Sequence, residues 1–295
     1  MEYKLKSTQI FDHAEYPTTQ EIDVLHEGKE EFFKKMKLEV GDKKTYNPLD
    51  IKSVDYSYWL MEYNNRVFDL TNTYAMLMFY YNKGIPDEEW CASSKDGTKT
   101  VYFPHFEEEH TAYHYWFGFY SESYYTRFFG LIDMLYHLAN IKYDLNAEKN
   151  MEFRKNVSNG LRNKGKESTR ELRLDLNRKL NKFMNASVFK ATNKFRKDIT
   201  HNFRPNQVSS PIKEVKRSEE EVYIYDEQGN RTRINDVSKV KKYEITIGSY
   251  TPTKHFVSNI EDSIKFLSNF IESTKEHFKE PDAAKFKSIK EHFKK

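Results

Sequence analysis

Two long stretches without interior proline carry apolar side chains every three to four residues, and this constrains the fold more than any other feature of the chain. In the first, Tyr56, Leu60, Tyr63, Val67, Leu70, Tyr74, Leu77 and Tyr81 follow one another, with Ser53 placed to cap the helix and Gly84 and Pro86 placed to end it. In the second, from about Phe106 to Tyr143, one stripe holds Trp116, Tyr120, Tyr124, Phe128, Leu131, Leu135 and Leu138. The same spacing predicts a helix over Gln20 to Met36 and a final one over Lys254 to Lys279, with Ile260, Ile264, Leu267, Ile271 and Phe278 on its apolar face.

Between these lie shorter elements. Asn159 to Lys166 reads as a basic turn, and Ser168-Thr-Arg-Glu171 as a capping box opening a helix with Leu172, Leu176, Leu180 and Phe183. Asn185-Ala-Ser187 is placed to break that helix and start another through Phe189, Phe195, Ile199 and Phe203, which Pro205 stops. Glu221–Tyr225 and Arg231–Ile234 flank a Gly-Asn turn and predict a hairpin, with Lys242–Ile247 as a third strand. The stretches Gly41–Leu49 and Cys91–Thr100 read as loops, and the residues after Pro281 as a lysine-rich tail with a weak stripe of Phe286, Ile289 and Phe293.

Together these predict a mainly α fold: a bundle of four to five helices with a small three-strand insertion before the last helix. The whole chain, 1–295, then forms a single domain: an extension over 1–50, main helices over 51–205, the insertion over 215–250, the last helix over 251–280 and a basic tail over 281–295. Three strands are too few for a second core.

Composition adds limits. Aromatic residues make up 16% of the chain, with 22 Phe and 21 Tyr, which either fill the core where aliphatics are scarce or form a base-stacking surface. One cysteine, Cys91, excludes an internal disulfide and a multi-cysteine zinc site, and fits a reducing, cytoplasmic setting. The first residues lack the apolar run of a secretion signal, and no stretch is apolar enough to span a membrane. The net charge of +3 hides an asymmetry: residues 154–217 hold 18 Lys and Arg against 5 Asp and Glu. Such a block suits either a polyanion-facing surface or a pair of solvated helices.

Reactive groups concentrate in Phe195-Arg-Lys-Asp-Ile-Thr-His-Asn-Phe-Arg-Pro205. Arg196 and His201 stand five residues apart, about 140° around a helix and about 7.5 Å along it. One copy therefore spreads the two groups across a helix edge, whereas two copies meeting on a two-fold axis bring two Arg and two His around one groove. The residue types suit phosphodiester cleavage without a metal. An imidazole takes the 2′-hydroxyl proton of RNA and returns one to the leaving oxygen. A guanidinium offers a planar, permanently charged donor set to the phosphate. Asp198 is close enough in sequence to orient either. The plainer alternative is a helix C-terminus that carries Arg and His because they complement its dipole.

Arg196-Lys-Asp-Ile-Thr-His-Asn202, near the end of a long helix and ahead of a proline, resembles the HEPN superfamily, whose hallmark is Arg, four to six residues, then His at such a place. The resemblance covers roughly residues 55–280 in helix order. It implies a helical homodimer with an interfacial cleft, metal-independent RNA cleavage leaving a cyclic phosphate, no cofactor, and a role in defence, toxicity or RNA processing. Arg196 and His201 then take the catalytic roles, with Asp198 beside them. The residue after the Arg is usually Asn, Asp or His in active members and is Lys197 here. Where some members carry a modifiable Tyr two residues after the His, this chain has Phe203. RNA contacts are expected from Lys197, Asn202 and Arg204 at the motif, and from Arg162, Lys164, Lys166, Arg170 and Arg173 in the basic block.

Two function classes follow: an endoribonuclease of this type in antiviral defence or a toxin system, or a non-catalytic dimeric module that binds RNA, a nucleotide or a protein partner such as an antitoxin. His110-Thr-Ala-Tyr-His114, with Glu109 and His105 nearby, is a weaker constellation with zinc-compatible spacing, and the alternative there is a polar helix end.

Overall fold

The computed structural model of the chain describes residues 9–40, 51–95, 99–164, 167–202, 204–215, 223–233 and 242–279. The expectations for Lys166, Phe203, the 41–49 loop and the 281–295 tail fall outside these residues. The fold is mainly helical. Three short helices, α1 (Gln9–Asp12), α2 (Thr19–His26) and α3 (Glu30–Met36), lead into the long α4 (Ile51–Asn82) and α5 (Glu108–Lys142). Then come α6 (Phe153–Asn163), α7 (Arg170–Asn185), α8 (Ser187–His201) and, after the strands, α9 (Thr253–Phe278).

The two long stripes meet as expected. α4 and α5 pack antiparallel: Trp59 stacks on His137 at one end and Tyr80 on Trp116 at the other. α9 runs parallel to α5, with Phe256 against Phe117 near its start and the Tyr143 hydroxyl beside His277 Nδ1 near its end. α7 and α8 both lie antiparallel to α9. Asp175 contacts His277, Phe183 stacks on Phe266, and Phe195 packs on Phe256. The break at Ala186, with extended backbone (φ −65, ψ 149), is therefore a bend in one continuous run and not a hairpin.

The aromatic excess fills the core. Tyr56, Tyr63, Tyr74, Tyr80, Tyr124, Tyr125, Phe117, Phe128, Phe256 and Phe278 are all buried. Each buried phenol needs a partner, and several find one on another helix. Tyr56 donates to the Phe278 carbonyl at 2.8 Å, Tyr63 to the Met36 carbonyl at 3.0 Å, and Tyr125 to Asn259 Oδ1 at 3.0 Å, while Tyr124 and Ser263 exchange a bond of 2.7 Å.

Several local readings are corrected. Ser53 lies inside α4, which already begins at Ile51, and so does not cap it. Gln20–Met36 is two helices, because Gly28 takes a left-handed turn (φ 73) that a residue with a Cβ rarely adopts. Asn159 to Asn163 belongs to α6, whose interior Gly160 packs a Cα close to Leu145. The capping box at Ser168 is not formed: Glu167–Thr169 is a 3-10 turn and α7 starts at Arg170 without a side-chain cap. Cys91–Ser93 (β1) pairs with Thr100–Tyr102 (β2) where a loop was expected. In the insertion, Tyr223–Tyr225 (β4) and Arg231–Arg233 (β5) form the predicted hairpin. Lys242–Ile245 (β6) pairs instead with Ile212–Val215 (β3), so the hairpin sits as an excursion between two paired strands.

Candidate functional site

α8 is amphipathic. Phe189 and Thr192 are buried, and Phe195 is held between Tyr125 (centroids 5.6 Å apart, 7° between planes) and Phe256 (4.8 Å). This anchoring fixes which residues of the motif face outward. Arg196, Lys197, His201, Asn202 and Arg204 are exposed and Asp198 is half-buried. The helix ends at His201, and Asn202 turns to extended backbone (φ −126, ψ −167).

Arg196 lies across α5. Its Cζ stands 4.9 Å from the centroid of the buried Phe129 ring, a cation–π contact, and the residue is exposed. No carboxylate among the described residues pairs with it. The His201 side chain likewise has no hydrogen bond or ion pair among the described residues. Asp198 is engaged locally and not with either group: its Oδ1 accepts from Asn202 Nδ2 at 2.9 Å and its carbonyl from the Asn202 N–H at 3.1 Å. Asn202 is thus the helix-end partner of Asp198. Arg204 reaches α5 and pairs with Glu122 at 3.2 Å. The 140° separation places Arg196 at the α5 edge of α8 and His201 on its outer face. Within one copy the two stand on different faces of an exposed helix end, and no hydrogen bond joins them.

The residues expected to bind RNA at the α6–α7 corner do not join them. Asp175 of α7 meets α9 at residue 277 and Phe195 of α8 meets it at residue 256, a span of 21 residues or about 32 Å of helix. Arg162, Lys164 and Arg170, at the α6–α7 corner, are exposed at the far end of the bundle, where Arg170 pairs with Glu167 at 3.1 Å. Arg173 is not available to RNA at all. It is 3% exposed, and its guanidinium donates to the Leu161 carbonyl at 3.0 Å and to Thr169 Oγ1 at 3.2 Å, where the C-terminus of α6 needs donors. The charge run is continuous in sequence and divided in space.

The paired histidines of α5 have separate tasks. His110 Nδ1 accepts from the Glu107 N–H at 3.0 Å and so caps the helix. His114 Nε2 lies 2.9 Å from the Tyr250 hydroxyl. That hydroxyl donates to Asp87, which also accepts from the Thr253 N–H at 2.7 Å, so His114 takes the tautomer that donates from Nε2. Burial holds the His114 imidazole neutral, down to about 4. Among the described residues no cluster of His, Cys, Asp and Glu is arranged to hold a metal ion, and no helix is long and apolar enough to cross a membrane.

Phe129 was not singled out by the sequence. Its neighbour Phe128 carries the helical stripe, and nothing in the spacing shows that the adjacent ring receives a guanidinium from α8. Glu122, the partner of Arg204, was hidden in the same way.

The helical bundle of the described residues is the architecture of a protein class, the HEPN-type helical module. Residues 59–280 match the family described as HEPN_Cthe2314-like HEPN, and the chain belongs to that family. No curated protein and no solved structure matches it.

Proposed function

We propose that this HEPN module is a metal-independent endoribonuclease acting as a homodimer, serving in antiviral defence or as a toxin. The observation that carries the reading is the exposed pair at the end of α8: Arg196, seated against Phe129, and His201, exposed on the outer face. His201 takes the 2′-hydroxyl proton of RNA, and the 2′-oxygen attacks the adjacent phosphorus. The bond to the 5′-oxygen breaks, and that oxygen leaves with a proton from an imidazolium. The products are a 2′,3′-cyclic phosphate and a 5′-hydroxyl end. Arg196 donates to the non-bridging oxygens as charge builds on them. A two-fold axis beside α8 supplies the second Arg and His that one copy does not bring to its own.

The test is incubation of the purified protein with total RNA in the presence of a chelator. Cleavage is expected from wild type and lost in His201→Ala and in Arg196→Lys, which keeps the charge without the planar fork. A lost donor of this kind costs on the order of 10²–10³ in rate. Chelator-sensitive cleavage that survives His201→Ala refutes the mechanism. A monomer in sedimentation at micromolar concentration refutes the shared cleft.

One observation favours the second reading, a non-catalytic dimeric module that binds RNA, a nucleotide or a protein partner. Lys197 follows the arginine where active members carry a smaller polar residue, and Asp198 bonds Asn202 and neither catalytic group. RNA binding without cleavage in the same assay selects it.

A further inference from the structure

Two more arginines approach the α5 surface on which Arg196 lies. The turn Phe129–Asp133 is met by three helices at once. Arg196 of α8 covers the Phe129 ring. Arg154 of α6 donates from Nε to Asp133 Oδ1 at 2.6 Å and from Nη2 to the Phe129 carbonyl at 3.5 Å. Arg66 of α4 donates from Nε to Glu62 at 2.8 Å, and its Nη1 crosses Gly130 so closely that a Cβ there would meet it at 3.3 Å. Gly130 sits in the middle of the 35-residue α5, where alanine favours the helix more. What glycine provides at this position is room for the Arg66 guanidinium.

Both carboxylates take the Nε edge of their arginine. This orients the guanidinium planes and leaves terminal N–H donors over, since each guanidinium has five. The side chains of Arg66 and Arg154 are 43% and 27% exposed, open enough for a ligand to reach. Tyr115, Phe119, Glu122, Thr126, Gly130 and Asp133 follow one another at spacings of four and three and so share one face of α5. On that face the rings of Phe119 and Tyr115 are 47% and 44% exposed. Arginine forks on one turn and exposed aromatic rings about three to four turns away match a polymer with phosphates and unstacked bases, which is a single strand.

The geometry points to a phosphodiester-binding subsite for single-stranded RNA on this turn of α5, where Arg66 and Arg154 hold a backbone phosphate next to the one addressed by Arg196, with a base further along the strand on Phe119. It rests on the RNA-cleaving reading above. It also relocates the RNA contacts from the far α6–α7 corner to a surface to which α4 contributes.

The experiment uses full-length His201→Ala protein as the parent, so that binding is read without cleavage, and a fluorescent single-stranded RNA oligonucleotide titrated at several salt concentrations. Arg66→Gln is expected to weaken binding roughly 3- to 10-fold and to reduce the slope of log K against log salt by about 0.7, the value for one phosphate contact on a single strand. Phe119→Ala is expected to weaken binding without changing the slope, because it removes stacking and no charge. Arg170→Gln, at the far corner, is expected to change neither. Unchanged affinity and slope in Arg66→Gln, with the parent binding RNA and the variant melting like the parent, overturns the subsite and leaves the cleavage reading intact. An Arg170→Gln effect as large as that of Arg66→Gln also overturns it. A parent that binds no RNA at low salt removes the cleavage reading and the subsite with it.

Discussion

Replacing Asp87 by alanine should destabilise the protein more than almost any other single change outside the apolar core. Asp87 is 1% exposed, in the segment after α4, and its carboxylate stands at the N-terminus of α9. It accepts from the Tyr250 hydroxyl, from the Thr253 N–H at 2.7 Å and from Thr253 Oγ1 at 3.1 Å. Hydrogen bonds to a charged acceptor contribute about 1.5–3 kcal/mol each, and buried donors left without a partner cost about 1–3 kcal/mol. A negative charge at a helix N-terminus adds about 0.3–1 kcal/mol. Against these stands the desolvation of the carboxylate, so the net loss in Asp87→Ala is about 3–5 kcal/mol, the range found when one partner of a buried charged network is removed. With a urea m-value of about 3 kcal/mol/M, the unfolding midpoint should fall by about 1–1.7 M. Asp87→Asn keeps the shape and one acceptor and should lose less than half as much. The assay is urea unfolding followed by circular dichroism at 222 nm and by tyrosine fluorescence. A midpoint for Asp87→Ala within about 0.3 M of wild type refutes the reasoning, because Tyr250 and Thr253 would then have no need of the carboxylate.

Other changes have equally definite outcomes. His114 is neutral in the fold down to about 4, against 6.5 for the free side chain, so the unfolded chain binds its proton first as pH falls. Stability from this group is therefore full above pH 6.5 and lost between 6.5 and 4, on the order of 3 kcal/mol. His114→Gln should flatten that part of the unfolding-versus-pH curve, and an unchanged curve refutes the assignment. Arg173→Met should cost about 2–4 kcal/mol in urea unfolding, since it leaves the Leu161 carbonyl without its donor, while RNA affinity at low temperature stays as in wild type. Phe129→Leu should preserve the fold and lower kcat/KM roughly 2- to 30-fold, the equivalent of the cation–π contact with Arg196, with unchanged turnover as the refuting result.

The long helices were legible because each carries an apolar stripe that no other element explains, and α4, α5 and α9 end within a few residues of where spacing, glycine and proline place them. The bend at Asn185-Ala-Ser187 was legible too, but not its direction. A break in periodicity says that a helix stops, whereas only Phe183 on Phe266 and Phe195 on Phe256 show the next one continuing along α9. That direction decides the fate of the basic block, since it separates Arg170 from Arg196. Arg173 was misread because an arginine in a charged run looks solvated until the carbonyl it serves comes from another helix. Gln20–Met36 broke at Gly28 because a continuous stripe hides a glycine that costs nothing to the pattern. At the site, the Arg196–His201 pair was visible as local chemistry. Phe129, Glu122, Arg66 and Arg154 belong to other helices, and spacing along one segment carries no information about them.

The cross-helix phenols give this bundle a property that a leucine-filled bundle lacks. Helices packed through aliphatic side chains alone can slide past one another by a turn and bury nearly the same area, which makes neighbouring registers close in energy. Here a slide of α9 by one turn moves every acceptor about 5.4 Å from its hydroxyl. Tyr124 would lose Ser263, Tyr125 would lose Asn259 and Tyr56 the Phe278 carbonyl, together and in the dry interior. The core is keyed as well as greasy. Its tyrosines act as the teeth of a ratchet that admits one alignment, and the end of α8, which leans on α9 through Phe195, inherits its position from them.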